Sequence, residues 1–132
     1  LRPHQRIEEM NYFGDHDAET AHFGAFIGEE LLSIGSLYLA PLNSPHAKQQ
    51  SAAHTWQLRG MATSPQHAGQ GLGAAVLQAA ISHASTQGGK LLWCNAREGA
   101  LGFYQKFAFS SISNTFDLPG IGPHQVMIRI LT

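Results

Sequence analysis

The apolar positions of this chain change their spacing along its length, and each spacing predicts an element. Ala21 to Ile27 carries the aromatic and apolar content of a strand, Gly28-Glu29-Glu30 a tight turn, and Leu31 to Leu42 a second strand, together an antiparallel hairpin. After a loop from Pro41 to Gln50, Ser51 to Thr63 reads as a third strand ended by Ser64-Pro65. From Gly71 to Gln87 the spacing becomes helical, with Leu72, Val76, Leu77, Ala80, Ile81 and Ala84 on one face and Gly88-Gly89 as the stop. Lys90 to Asn95 is a short buried strand, and Glu98 to Lys106 a second helix with Ala100, Leu101, Tyr104 and Phe107 on one side. Ile112 to Phe116 and Gln125 to Leu131 close the chain as strands around the turn-rich Pro119-Gly120-Ile121-Gly122-Pro123. The order β-β-β-α-β-α-β-β predicts an α+β sheet with helices packed on it. The opening stretch from Leu1 to Thr20 is polar, carries the turn Gly14-Asp15-His16-Asp17, and does not read as a strand.

Composition narrows this picture. A length of 132 residues, 43% hydrophobic, with no repeat or linker, predicts one domain over 1–132. A net charge of -1 argues against a general nucleic-acid binder. The one cysteine, Cys94, forms no internal disulfide, and no apolar run nears the roughly 20 residues that span a bilayer. The opening Leu1-Arg2-Pro3-His4 lacks the apolar core of a secretory signal, so the expected location is the cytoplasm, with no membrane contact. Charge is segregated: most of the acids lie between Leu1 and Glu30, while Leu31 to Arg97 holds Lys48, Arg59, Lys90 and Arg97 with no carboxylate. Such a segment does not repel a polyanionic ligand.

Within that segment, Gln66-His67-Ala68-Gly69-Gln70-Gly71-Leu72-Gly73 passes from strand to helix. Glycines there let the backbone approach a ligand, and the first helical turn offers free N–H groups and a partial positive charge, a place for phosphate. A nucleotide P-loop needs Gly-Lys-Ser/Thr at the helix start, but Gly73 is followed by Ala74-Ala75. Gly69-x-Gly71-x-x-Ala74 fits a dinucleotide fingerprint in spacing, yet the expected acid about 20 residues on is absent before Glu98.

Ala68-Gly69-Gln70-Gly71-Leu72-Gly73 resembles the Arg/Gln-x-x-Gly-x-Gly/Ala turn of the Gcn5-related N-acetyltransferases (GNAT), with Ala68 where the family carries Arg or Gln. A second stretch is similar to the family's strand-Asn-Ala-Arg and Phe-Tyr-x-Lys-x-Gly-Phe segment: Leu91 to Arg97, Ala100, and Phe103-Tyr104-Gln105-Lys106-Phe107-Ala108-Phe109, with Ala108 in place of the usual glycine. The two motifs span Leu58 to Phe109. The resemblance implies a GNAT-like mixed, mostly antiparallel sheet with a central splay, flanked by helices. The family's first strand and helix are then missing or truncated, since only Leu1 to Thr20 precedes the hairpin. It also implies an enzyme that moves an acetyl group from acetyl-CoA to a primary amine by direct attack, the acceptor being a small-molecule or peptide amine. Pairing of two copies through the terminal strands suits the fold.

Carried over residue by residue, the resemblance implies that Ala68, Gly69, Gln70, Gly71, Leu72 and Gly73 cradle the pyrophosphate. The backbone of Met61-Ala62-Thr63 would bond the pantetheine arm and orient the thioester carbonyl, an oxyanion-type role. Asn95 would bond the same arm, and Tyr104 would be the general acid for the thiolate; a core aromatic and a strand-ending Asn are the structural alternatives. An amine of pKa about 10.4 must lose a proton before or during attack, and histidine titrates nearest neutrality. His124 and His22 are the base candidates, with a water chain as the alternative, while His4, His46, His67 and His83 fall in loops or exposed helix positions. Asp15, His16, Asp17 and His22 lack the spacing of a metal site, and no metal is expected. Cys94 reads as packing, because direct transfer needs no cysteine nucleophile. From another class, a non-catalytic acyl-CoA-binding or sensing domain that kept the turn fits the same residues.

Overall fold

The computed structural model describes residues 5–10, 20–42, 54–67, 69 and 71–131, with no side-chain account of 5–10 or His67. Its elements are β1 (Gln5–Met10), β2 (Thr20–Ile27), β3 (Glu30–Leu39), β4 (Thr55–Thr63), α1 (Leu72–Thr86), β5 (Leu91–Arg97), α2 (Leu101–Gln105), β6 (Ser110–Ser111), β7 (Phe116–Leu118) and β8 (Gly122–Ile130). Single 3₁₀ turns at Pro65–His67 and Glu98–Ala100 lead into α1 and α2. The chain divides into two packing units, Leu1–Tyr38 with Leu58–Gln87, and Leu39–Gln57 with Gly88–Thr132.

In the first unit β1, β2 and β3 form an antiparallel ladder. Ile27 pairs with Glu30 across a two-residue turn, and Gly28 at φ 61° supplies the conformation such a turn needs. β2 is buried continuously from Ala21 to Ala25, and the Phe23 ring lies 5.5 Å from that of His83 on α1. The six apolar residues predicted for the helical face, Leu72, Val76, Leu77, Ala80, Ile81 and Ala84, are all buried. Each fully buried aliphatic side chain contributes about 1.5–3 kcal/mol, so this stripe, more than the helix's own propensity, holds α1.

The second unit is built on β8. It pairs antiparallel with β5 from Leu91↔Ile130 to Arg97↔His124, and with β6 and β7. The start of β4 pairs parallel with β5 through Thr55↔Leu91, Trp56↔Leu92 and Gln57↔Trp93. One parallel ladder among antiparallel ones makes the fold mixed and mostly antiparallel, as expected. Leu92, Cys94, Ala96, Tyr104, Phe109 and Met127 are buried in this unit.

Three expectations change. A strand does open the chain: Gln5–Met10 pairs residue for residue with β2. Its apolar positions do not alternate, so the pairing rather than the local sequence makes it a strand. The strand expected over Ile112 to Phe116 is interrupted. After Ile112 N–H reaches the Val126 carbonyl, the Ser113 hydroxyl replaces a backbone group by accepting from Val126 N–H at 2.9 Å. The Ser113 hydroxyl also lies 2.9 Å from the Asn114 carbonyl, and the chain bends before β7. The second helix is shorter than predicted, with Glu98–Ala100 as a 3₁₀ turn. The expected turn at Gly14-Asp15-His16-Asp17, and Ser51 at the start of the third strand, lie outside the described residues.

Candidate active site

Leu72 is 1% exposed, so its side chain is spent on the core and only its backbone is available at the start of α1. Gly69 and Gly71 stand at φ 82° and 79°, a region that L side chains avoid, while nothing lies within 4 Å of where a Cβ would be. Conformation, not crowding, requires glycine here, and the turn is open to a ligand. Gly71 is the N-cap without a side-chain hydrogen bond, and no acid sits in the first turn. The Ala75 N–H bonds the Gly71 carbonyl at 3.0 Å, so the N–H groups of Leu72, Gly73 and Ala74 precede that bond. Donors that precede the first helical bond, the positive end of a helix and a first turn without an acid form, among the described residues, an anion cradle. Ala68 and Gln70 lie outside the described residues.

In the same unit, Gly60 at φ 69° breaks the regular course of β4 just before Met61-Ala62-Thr63. The Ser33 hydroxyl donates to the Ala62 carbonyl at 3.1 Å and meets Thr63 Oγ1 at 2.8 Å, while Ser64 N–H donates to the Leu32 carbonyl at 2.7 Å. These bonds hold the peptide planes of this stretch. Gly60 and Ser33 were not singled out from the sequence. A lone glycine inside a strand pattern was the available signal for Gly60; Ser33 had none. His22 is buried, its Nδ1 2.7 Å from Ser36 Oγ and its ring edge-on to Tyr38 at 6.2 Å.

In the second unit Tyr104 is buried on α2, edge-on to Phe103 at 5.2 Å and to Phe109 at 5.4 Å. Burial, and secondarily the nearby Cys94, push its hydroxyl above the ordinary tyrosine value of 10.0. It therefore stays protonated, as a proton donor must. Burial pushes the Cys94 thiol up to about 12, which keeps it from acting as a nucleophile near neutrality. Asn95 is exposed on β5 opposite Val126.

His124 is 4% exposed. Its Nδ1 lies 2.8 Å from the Gly122 carbonyl, which can only accept. The neutral ring therefore carries its proton on Nδ1 and leaves the Nε2 lone pair to take one up. The register separates the acid and base candidates. Cys94 pairs with Met127, and Tyr104 lies on that face; Arg97 pairs with His124, and Phe116 stacks there at 6.2 Å, on the other. Among the described residues no group of three or more His, Cys, Asp or Glu could hold a metal ion, and no helix is long and apolar enough to cross a membrane. Asp15, His16 and Asp17 lie outside the described residues.

Residues 2–109 match the family model described as the acetyltransferase (GNAT) family. The chain is 37% identical over 131 residues to the uncharacterized N-acetyltransferase YitI of Bacillus subtilis (strain 168), covering 99% of this chain and 85% of that one. In fold it is similar to a GNAT family acetyltransferase from Elizabethkingia anophelis with acetyl-CoA bound, with a TM-score of 0.71 at 15% identity over 98% of this chain and 100% of that one. The ribosomal-protein-S18-alanine N-acetyltransferase from Escherichia coli gives a TM-score of 0.71 at 14% identity, over 96% and 92% of the two chains.

Proposed function

The chain belongs to the GNAT acetyltransferase family, and from that premise we propose that residues 1–132 act as one domain that transfers acetyl from acetyl-CoA to a primary amine by direct attack. The observation that carries the reading is the open, uncapped start of α1, with two left-handed glycines and no acid in its first turn. Such a start favours a pyrophosphate, and the acetyl-CoA bound to the Elizabethkingia anophelis relative supports that donor. Backbone N–H groups of Met61 to Thr63 hold the pantetheine arm and polarise the thioester carbonyl, and Asn95 adds a bond to the arm.

His124 Nε2, on the opposite face of the β5–β8 ladder from Tyr104, takes the amine proton through a water chain, with His22 as the second candidate. Tyr104 donates to the departing sulfur. A thiol of pKa about 8.5 is a stronger acid than a tyrosine of about 10, and burial of Tyr104 widens that gap. Tyr104 therefore hydrogen-bonds the developing thiolate, and its proton moves only as the amide forms. Once the ammonium has given one proton to solvent, the neutral amine attacks, the C–N bond forms and the C–S bond breaks. Nitrogen loses its second proton to the base and sulfur gains one from Tyr104; the base passes its proton to solvent as Tyr104 is reprotonated from it, which closes the balance. The acceptor is a small-molecule or peptide amine. Cys94, a buried free thiol, fits a reducing compartment such as the cytoplasm.

Release of free thiol from acetyl-CoA in the presence of spermidine, lysine, glycinamide or glucosamine tests the proposal. Amine-dependent release that falls about a hundredfold in Tyr104→Phe is expected for a lost general acid. Acetyl-CoA binding without turnover of any amine, indifferent to Tyr104→Phe, would favour the sensing domain instead.

A further inference from the structure

We propose that Arg129 is a positioning residue for Tyr104, acting through the C-terminal cap of α2; the proposal rests on Tyr104 being the proton donor. A helix of five residues has too few internal bonds to hold its own orientation, so its ends decide where its side chains point. At the C-terminal end, Phe109 N–H donates to the Tyr104 carbonyl at 3.2 Å and Ala108 N–H to the Gln105 carbonyl at 3.1 Å. Ala108 is left-handed at φ 65°, and Phe109 packs on Tyr104. That is a complete Schellman cap, formed with alanine at the position where glycine is easiest. The cap holds Tyr104 twice, by its carbonyl and by its ring.

Arg129 clamps this cap from the sheet. It lies on β8, pairs with the fully buried Leu92, and shares a face with Met127 and Cys94. Its Nη1 donates to the Phe107 carbonyl, the last one before Ala108. A cationic donor makes the bond stronger than a neutral one, and the apolar neighbours strengthen it further. Arg129 Nε is enclosed with no hydrogen-bond partner among the described residues. Burying a guanidinium half-satisfied is unfavourable for packing alone, whereas one directed bond to Phe107 fixes the height of α2 above the ladder. Tyr104 then meets the sulfur at a set distance, and general-acid catalysis depends steeply on that distance.

A double-mutant cycle on the full chain tests this, read as kcat and KM for acetyl-CoA with the best amine of the panel above. Arg129→Met is expected to lower kcat about tenfold with KM within about twofold. In the Tyr104→Phe background the same change is expected to cost less than about twofold, since a lost donor cannot be misplaced. Arg129→Lys, which restores one cationic donor to Phe107, is expected to recover most of the loss. If Arg129→Met does not fold, Arg129→Gln and Arg129→Lys replace it. An equal loss in both backgrounds, or no loss, overturns the positioning role. A Tyr104→Phe enzyme as fast as wild type overturns the reading of Tyr104 itself, a result distinct from the first two.

Discussion

Ala108→Gly should stabilise the protein. Ala108 sits at φ 65°, where an L-residue other than glycine carries about 1–2 kcal/mol of strain. Its side chain is exposed, so removing the methyl group forfeits little packing. Glycine gives the unfolded chain more freedom, which returns about 0.4–1 kcal/mol. The net gain is about 0.5–1 kcal/mol. With an unfolding entropy of about 2.1 cal/mol/K per residue over 132 residues, that corresponds to a rise in Tm of about 2–4 °C. Differential scanning calorimetry, with urea unfolding near room temperature as a second measure, reads the change directly. An unchanged or lower Tm would refute the left-handed cap, and with it the account of how α2 ends.

Other outcomes follow from the same structure. Gly71→Glu should weaken acetyl-CoA binding more than tenfold in calorimetric titration, and Gly71→Ala less, because both strain the φ 79° turn but only the first places a carboxylate at the cradle. His124→Gln should lower kcat while leaving acetyl-CoA affinity in place; an unaltered kcat would move the base elsewhere. Tyr104 is raised by burial above 10.0 and so stays neutral through the ordinary tyrosine range, and the pH–rate profile should show no descending limb below that pH that Tyr104→Phe abolishes. Cys94 is shifted from 9.0 to about 12. The unfolded thiol ionises first, so its contribution to stability is complete below pH 9.0 and is lost as pH rises toward about 12. Alkaline melting curves of wild type and Cys94→Ala should diverge in that window.

Legibility in the sequence followed the range of the interactions. The face of α1 was readable because its six buried positions follow the local helical period. The β2–β3 hairpin was readable because Gly28-Glu29 lies between two apolar runs. β1 was not, since Gln5–Met10 becomes a strand only by pairing with Thr20–Ile27. The glycine turn stood out by its composition, whereas the break at Gly60 and the left-handed Ala108 are conformations that residue identity only hints at. That Tyr104 and His124 lie on opposite faces depends on the register between β5 and β8, strands well separated along the chain, and no local pattern carries it. The bond from Arg129 to Phe107 spans 22 residues of sequence, so no local pattern on the terminal strand carries it.

Backbone hydrogen exchange with and without acetyl-CoA, resolved to peptides by mass spectrometry, tests the central claim most directly. The account predicts slower exchange in peptides covering Met61 to Thr63 and Gly71 to Ala75, and loss of that protection in Gly71→Glu. Protection confined to other segments, or none at saturating acetyl-CoA, would contradict it.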